Sequence, residues 1–337
     1  MEVDFFYGDP APAKITAVAA GVEARGYAGL WLPESAHDTF LAAVLAATAT
    51  TRLQIGTAIS LALARSPMMT AYSAWDLAAC SQGRFRLGLG AGARAQIEGG
   101  FSMRWGTTTE RMEEYVRALR AIWHAWRKSE PLAFEGRFTS HTSIEPMHRP
   151  AAHDHPIPVL LAAGGPAMIE AAARCADGIV LHPLTTPAML DDVIAPALAR
   201  GLRAAGRARS EMTVVHLAMT VIADDERCER QLTAVRSRIA WYAERRQYEP
   251  LLRGAGRPEL GAELRALRQA GHVTEMTDLI DDDLVREMAI VATAGELADA
   301  THARFGQDVD RIAWLYDWFK DRPESERRVL AQLREDT

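Results

Sequence analysis

The chain has 337 residues and a net charge of −6, with 48% apolar and 24% charged residues. That balance excludes a disordered chain, and the lack of any Lys/Arg run excludes a surface that tracks a nucleic-acid backbone. The length admits two average domains or one α/β barrel, for which about 250 residues is typical.

The first strand pattern is "VDFFY" (3–7), followed by a helix with Ile15, Val18, Ala19 and Val22 at the spacing of one buried face. The second strand, "GLWLP" (29–33), ends in "PESAHD", which brings Glu34, His37 and Asp38 together. A histidine beside a carboxylate is a general acid or base tuned near neutral pH. Asp38 also has the sequence position of a helix cap for "DTFLAAVLAA". A third strand, "LQIGTAIS" (53–60), precedes a helix opened by Ser66 as cap and Pro67 at its first position.

The fourth strand, "RFRLGLG" (84–90), runs into glycines at alternate positions, Gly88, Gly90 and Gly92. With Ala93 these satisfy G-x-G-x-x-G/A on paper, yet the acidic residue wanted about twenty positions on is Glu113, inside an amphipathic helix, so a dinucleotide fold is excluded. Two readings remain: a bare strand end that lets a flat ring approach the backbone, or a tight turn. The helix that follows carries a capping-box pattern, Thr107 with Glu110, and a core stripe from Met112 to Trp126.

Residues 127–156 fit a hairpin or long loop. Then come "IPVLLA" (157–162), "GIVLH" (178–182), "TVVHLAMTVI" (213–222) and "DRIAWLY" (310–316), with extra helical pattern over 225–288 and a short extended "AIVATAGE" (289–296). Eight buried strands alternating with helices, without an interdomain linker, predict one α/β domain over 1–337. Its fold is a (β/α)8 TIM barrel with insertions after strands four and seven. After strand five, Gly164, Gly165 and Pro166 open a helix whose free amides suit an anion, unless this is a plain strand turn.

His141, His148, His153 and His155 lie in a Pro-rich loop with no rigid element to set ligand geometry, so no metal site is expected. Cys80, Cys175 and Cys228 form no C-x-x-C pair, no apolar stretch crosses a bilayer free of charge, and "MEVDFFYGDP" is no basic, apolar leader. A cytoplasmic protein with a small-molecule substrate, no nucleic acid and no membrane is the expectation.

The ordered segments "GLWLPESAHDTFLAAVLAAT", "RLQIGTAISLALARSPMMTAYSAWDLAACSQGRFRLGLGAG", "PVLLAAGGPAMIEAAARCADGIVLHPLTTP" and "DRIAWLY" resemble the bacterial luciferase-like monooxygenase family, most of all its branch using the deazaflavin coenzyme F420. The resemblance implies a barrel holding a flavin or deazaflavin at its C-terminal mouth, with hydride transfer as the central step. It implies a bulge after strand three with a non-prolyl cis peptide, placed here between Ser60 and Leu61, and a cofactor phosphate region at Ala163, Gly164 and Gly165. Gly90, Gly92, Asp38 and His182 join these as expected cofactor contacts, and His37 with Glu34 as the proton-transfer pair. His182 has the alternative of an unengaged loop residue, and Asp38 that of a helix cap.

One position departs from the family. Some of its deazaflavin dehydrogenases carry a carboxylate where this chain has Ala93 and Arg94, which counts against a sugar-phosphate dehydrogenase. Arg94 and Arg104 are instead available to an acidic coenzyme tail. The alternatives are an FMN-dependent monooxygenase using reduced flavin and O2, and a non-catalytic flavin-binding barrel. A homodimer is implied by the resemblance alone.

Overall fold

A computed structural model describes residues 1–335. Eight parallel strands close a barrel: β1 (Glu2–Phe6), β2 (Gly29–Leu32), β3 (Gln54–Thr57), β4 (Phe85–Gly90), β5 (Val159–Ala162), β6 (Gly178–Leu181), β7 (Thr213–Ala218) and β8 (Arg311–Trp314). Each pairs with its sequence neighbours, and β1 pairs with β8 to complete the ring of a TIM barrel. The strands read as continuous apolar runs because helices cover their outer faces. Those helices include α1 (Pro12–Arg25), α2 (Thr39–Thr48), α3 (Pro67–Cys80), α4 (Thr108–Lys128), α5 (Pro166–Cys175) and α6 (Ala195–Ala205).

Side chains fill the barrel, so it is no conduit. Trp31 lies across the middle in the space left by Gly56, where a Cβ would come within 2.3 Å of its ring. Below it the Trp31 indole N–H donates to Asp4 (2.7 Å), and Arg311 donates to both Asp4 oxygens (2.8 and 2.6 Å). Buried charges persist when paired in this way. Above, Ala58, Val180, Leu217 and Ala313 belong to the same apolar cluster as Trp31, with Phe6 and Leu315 packed against it.

Two strands differ from the sequence expectation. The run 53–60 is not one strand: three residues, Thr57 to Ile59, face two on β4 before pairing resumes with Ser60 opposite Leu89 and Leu61 opposite Gly90. This is a bulge. The run 213–222 is also divided. Its last part, Thr220–Ile222, leaves the barrel and pairs in parallel with Ile290–Ala292, the short extended piece expected before the last helices. Between these two segments residues 223–289 form a helical insertion with its own apolar core, including Val235, Ile239, Leu252, Leu264 and Leu284. Its first helix is α7 (Cys228–Ala243).

The insertion after β4 contains the expected hairpin, Phe134–Glu135 against Ser140–His141. Glu114 on α4 holds its turn by accepting from the backbone N–H of Arg137, Phe138 and Thr139 at 2.7–2.8 Å. Burial works against that carboxylate, but these amides outweigh it and lower its pKa. The capping box at Thr107 does not form: Thr107 makes no side-chain cap, and Glu110 turns instead to Arg137 (2.7 Å). The exposed ion pair drew Glu110 away from the helix end.

Candidate functional site

Barrel enzymes place chemistry where the strands end, because the loops there are free to vary. At the end of β3 the bulge carries a cis peptide between Ala58 and Ile59. This corrects the expected position, Ser60–Leu61. Those two residues are already back in the ladder with β4, so the irregular backbone falls before them. The strand-four glycines explain themselves here. A Cβ on Gly88 would stand 1.9 Å from the Thr57 carbonyl, and one on Gly90 would meet Ile59 at 2.7 Å. Thr57 also bonds both backbone groups of Gly88, at 2.7 and 2.9 Å. Gly92 adopts φ +73°, open chiefly to glycine.

Glu34 ties the bulge down. One of its oxygens accepts from the Ser60 hydroxyl (3.0 Å) and the Leu61 N–H (2.7 Å); the other accepts from Arg65 (2.5 Å). The Glu34 N–H donates to the Ile59 carbonyl, and the Ala58 N–H to that of Leu32, so the ends of β2 and β3 are laced together. Arg65 also reaches Asp38 (3.0 Å) and lies over the Phe40 ring. Burial weighs against the Arg65 charge, but its hydrogen bonds with Glu34 and Asp38 prevail and raise its pKa. Asp38 caps α2, accepting from the Phe40 N–H at 2.8 Å. Ser60 and Leu61 are buried behind the bulge, while Ala58 and Ile59 stand at its tip.

His37 sits apart from this network. Its Nε2 lies 4.0 Å from Asp9, on the loop after β1, and its side chain is 38% exposed. The Glu34 oxygens are engaged by Ser60, Leu61 and Arg65, and the carboxylate nearest His37 in the ion-pair geometry is Asp9.

At the end of β5, Ala163 is buried and donates to Val180, whereas Gly164 and Gly165 are exposed, with nothing within 4 Å of where their Cβ atoms would be. Gly165 caps α5 and Pro166 starts it, so the helix end faces open space. His182, after β6, is enclosed by the insertion: its ring lies 4.3 Å from Tyr242 and 4.4 Å from Tyr248. Its Nδ1 accepts from the Leu184 N–H (3.2 Å), leaving the proton on Nε2. Burial, with His216 and Arg245 nearby, pushes its pKa down to about 3. Arg94 is occupied with Glu98 on the surface (2.8 Å). Among the described residues no three His, Cys, Asp or Glu side chains converge on a metal position, and no helix is long and apolar enough to cross a membrane.

The structure thus joins Glu34, Asp38, Ser60 and Leu61 into one network and adds Arg65, which sequence reasoning missed inside the loop-like "LALARSP". It also adds Tyr242 and Tyr248, some sixty residues beyond His182 in sequence, where no local pattern ties them to it.

A family model described as luciferase-like monooxygenase matches residues 4–311. An uncharacterized protein of Mycobacterium tuberculosis is 41% identical over 306 residues, covering 90% of each chain. An F420-dependent glucose-6-phosphate dehydrogenase of Kineococcus radiotolerans is 27% identical over 213 residues, 60% of this chain and 62% of that one. Among solved structures, the coenzyme F420-dependent tetrahydromethanopterin reductase of Methanopyrus kandleri superimposes with a TM-score of 0.82 over 100% of this chain and 99% of that one, at 18% identity. The FMN-containing oxygenating constituent of the Pseudomonas putida 3,6-diketocamphane monooxygenase does so at 0.66, covering 100% and 97%, also at 18% identity.

Proposed function

Because the chain belongs to the luciferase-like monooxygenase family, we propose that it is an F420-dependent oxidoreductase that moves a hydride between the deazaflavin and a small organic substrate. One observation carries the reading: a bulge whose tip, Ala58–Ile59, is small and apolar, and whose every tether is a charged or polar group held out of the way. The site fits a flat ring. Gly90 lies beside the tip, where a Cβ would meet Ile59 at 2.7 Å. The coenzyme would rest there, with its phosphate on the amides at Gly164 and Gly165, and it supplies a hydride-carrying carbon.

The chain's own residues supply the rest. A hydride exchanged with a carbonyl carbon needs a proton added or removed at oxygen, and His37, its Nε2 4.0 Å from Asp9, is the group we assign to it. Glu34 and Arg65 are positioning residues for the bulge. Gly92, Asp38, Ser60, Leu61 and Ala163 frame the coenzyme pocket from behind, and neutral His182 offers it an Nε2–H donor. We read the chain as one domain working in the cytoplasm. We also read it as a homodimer, since α2 has no charged residue and presents Leu41 and Val44 outward, and the neighbouring α3 presents Met69, at 61%, 37% and 59% exposure.

Titration of the purified protein with F420 and, separately, with FMN, followed by cofactor fluorescence, tests the assignment. Tighter binding of F420 supports it. Preference for FMN, followed by oxygen consumption with a flavin reductase, would overturn it in favour of a monooxygenase. In the F420-dependent reaction, His37→Ala lowers kcat by about 10²–10⁴-fold while coenzyme affinity holds. A light-scattering mass of one protomer would remove the dimer.

A further inference from the structure

Alternate residues of a strand point into the barrel, so the last inward residue of each strand lines the floor of the mouth. On β1, Asp4 bonds Trp31 and Arg311 inside, and Phe6 is the next inward position. On β7 and β8, Val215 and Ala313 lie in the central cluster with Trp31, and Leu217 and Leu315 follow two residues on. The Leu315 N–H still donates to the Ala218 carbonyl at 3.0 Å, so the alternation holds that far. Trp31, Leu160, Val215 and Ala313 are buried to 1% exposure or less, whereas Phe6, Ala162 and Leu315, one layer up, are partly exposed. The barrel opens at this layer. His182, two residues beyond Val180, is its polar member, with Nδ1 bonded to the Leu184 N–H and the ring packed on Tyr242 and Tyr248.

We propose that the substrate is an uncharged molecule with an apolar body, an aliphatic or alicyclic alcohol or ketone, seated against Phe6, Leu217 and Leu315. This rests on the reading above, which leans the coenzyme ring on the bulge at β3. In the ring of eight strands β7 stands opposite β3, followed by β8 and then β1, so these three side chains face the bulge across the mouth. An apolar body gains there by leaving water, whereas a phosphate or carboxylate set on the same wall loses its hydration with no donor in return. Four cations of the surrounding loops and helices are already engaged: Lys14 holds Asp9, Arg65 holds Glu34 and Asp38, Arg94 holds Glu98, and Arg245 lies over the Trp241 ring at 3.7 Å. Leu315 also packs against the core of the insertion, so the apolar wall runs on into the element that closes this side. One hydroxyl or carbonyl, the handle for His37, is the polarity that such a floor accommodates.

Saturation-transfer NMR titrations of the full-length protein with cyclohexanol, cyclohexanecarboxylate and glucose 6-phosphate, with and without F420, test this. With F420 bound, cyclohexanol binds more tightly than either anion. Leu217→Asn weakens cyclohexanol by about tenfold, and Leu315→Asn, at a partly exposed position that tests the wall should the first variant fail to fold, by about threefold. F420 affinity is unchanged in both variants. The proposal is overturned if cyclohexanol does not bind, if either anion binds the F420-loaded protein more tightly, or if cyclohexanol binding is undiminished in Leu315→Asn. Loss of F420 affinity in the variants would also overturn it, by assigning this wall to the coenzyme. If F420 fails to bind the unmodified protein, the coenzyme reading falls, whereas the dependence of cyclohexanol on Leu217 and Leu315 is still read on the protein alone.

Discussion

The two sides of the barrel mouth are built by opposite means. From β1 to β4 the wall is backbone and short polar chemistry: a bulge, glycines pressed against it, and Glu34 with Arg65 holding it in place. From β6 to β8 the wall is aromatic, and its rings come from a helical insertion with a separate core. The first side is over-determined, since each part is fixed by several neighbours. The second is assembled by docking one core onto another, which leaves it free to vary in size and polarity. On the proposed reading, the reaction centre belongs to the first side and substrate recognition to the second.

Substitutions of glycine break this contrast most sharply. Gly88→Val forces a side chain into the Thr57 carbonyl and costs about 3 kcal/mol or more in urea unfolding, with no rotamer to relieve it. Gly164→Ala, which meets nothing, leaves stability unchanged and, on the proposed reading, affects only coenzyme binding. Next in size is Glu34→Ala, which strands the Leu61 N–H and leaves Arg65 with Asp38 as its one carboxylate, and costs about 2–3 kcal/mol by the same measurement.

Acid sharpens the comparison on the aromatic side. Burial, with Arg304 beside it, also pushes His216 down to about 3; it is a residue of β7 with its ring against Phe305. His182 and His216 are neutral when folded, while the unfolded chain takes up protons from about pH 6.5. Their contribution is therefore complete above that pH and is lost as pH falls toward 3, with up to about 1.4 kcal/mol per pH unit for each. Melting temperatures from pH 7 to 4 read this slope, and His216→Leu makes it shallower. Tyr248→Ala admits water to His182 and moves its NMR titration up toward the ordinary value. The smallest effect belongs to Thr107→Ala, within about 0.5 kcal/mol, because no cap bond exists to lose.

Legibility from sequence followed the same division. Strand identity was readable because buried parallel strands are apolar throughout, and so were the Ser66 and Gly165 helix starts, whose signals are local. Glu34, Asp38 and Ser60 were singled out individually. That Glu34 spends its oxygens on Ser60 and Arg65 depends on how β2 and β3 meet in space, and the cis bond lies two residues before the place that the family resemblance implied. Tyr242 and Tyr248 carry no local sign of where they dock. Thr107 shows the reverse failure, a correct local motif outbid by a neighbour, Arg137.

The small parallel pairing of Thr220–Ile222 with Ile290–Ala292 brings the two ends of the insertion side by side. Closing a chain segment at its base makes the cost of lengthening it grow only slowly, by about 0.6 kcal/mol per doubling. The β1 to β4 side of the barrel is thus insulated from whatever lies beyond that clasp. Residues 223–289 form a cassette: a descendant of this fold could exchange one recognition surface for another by recombination, without retuning the chemistry beneath.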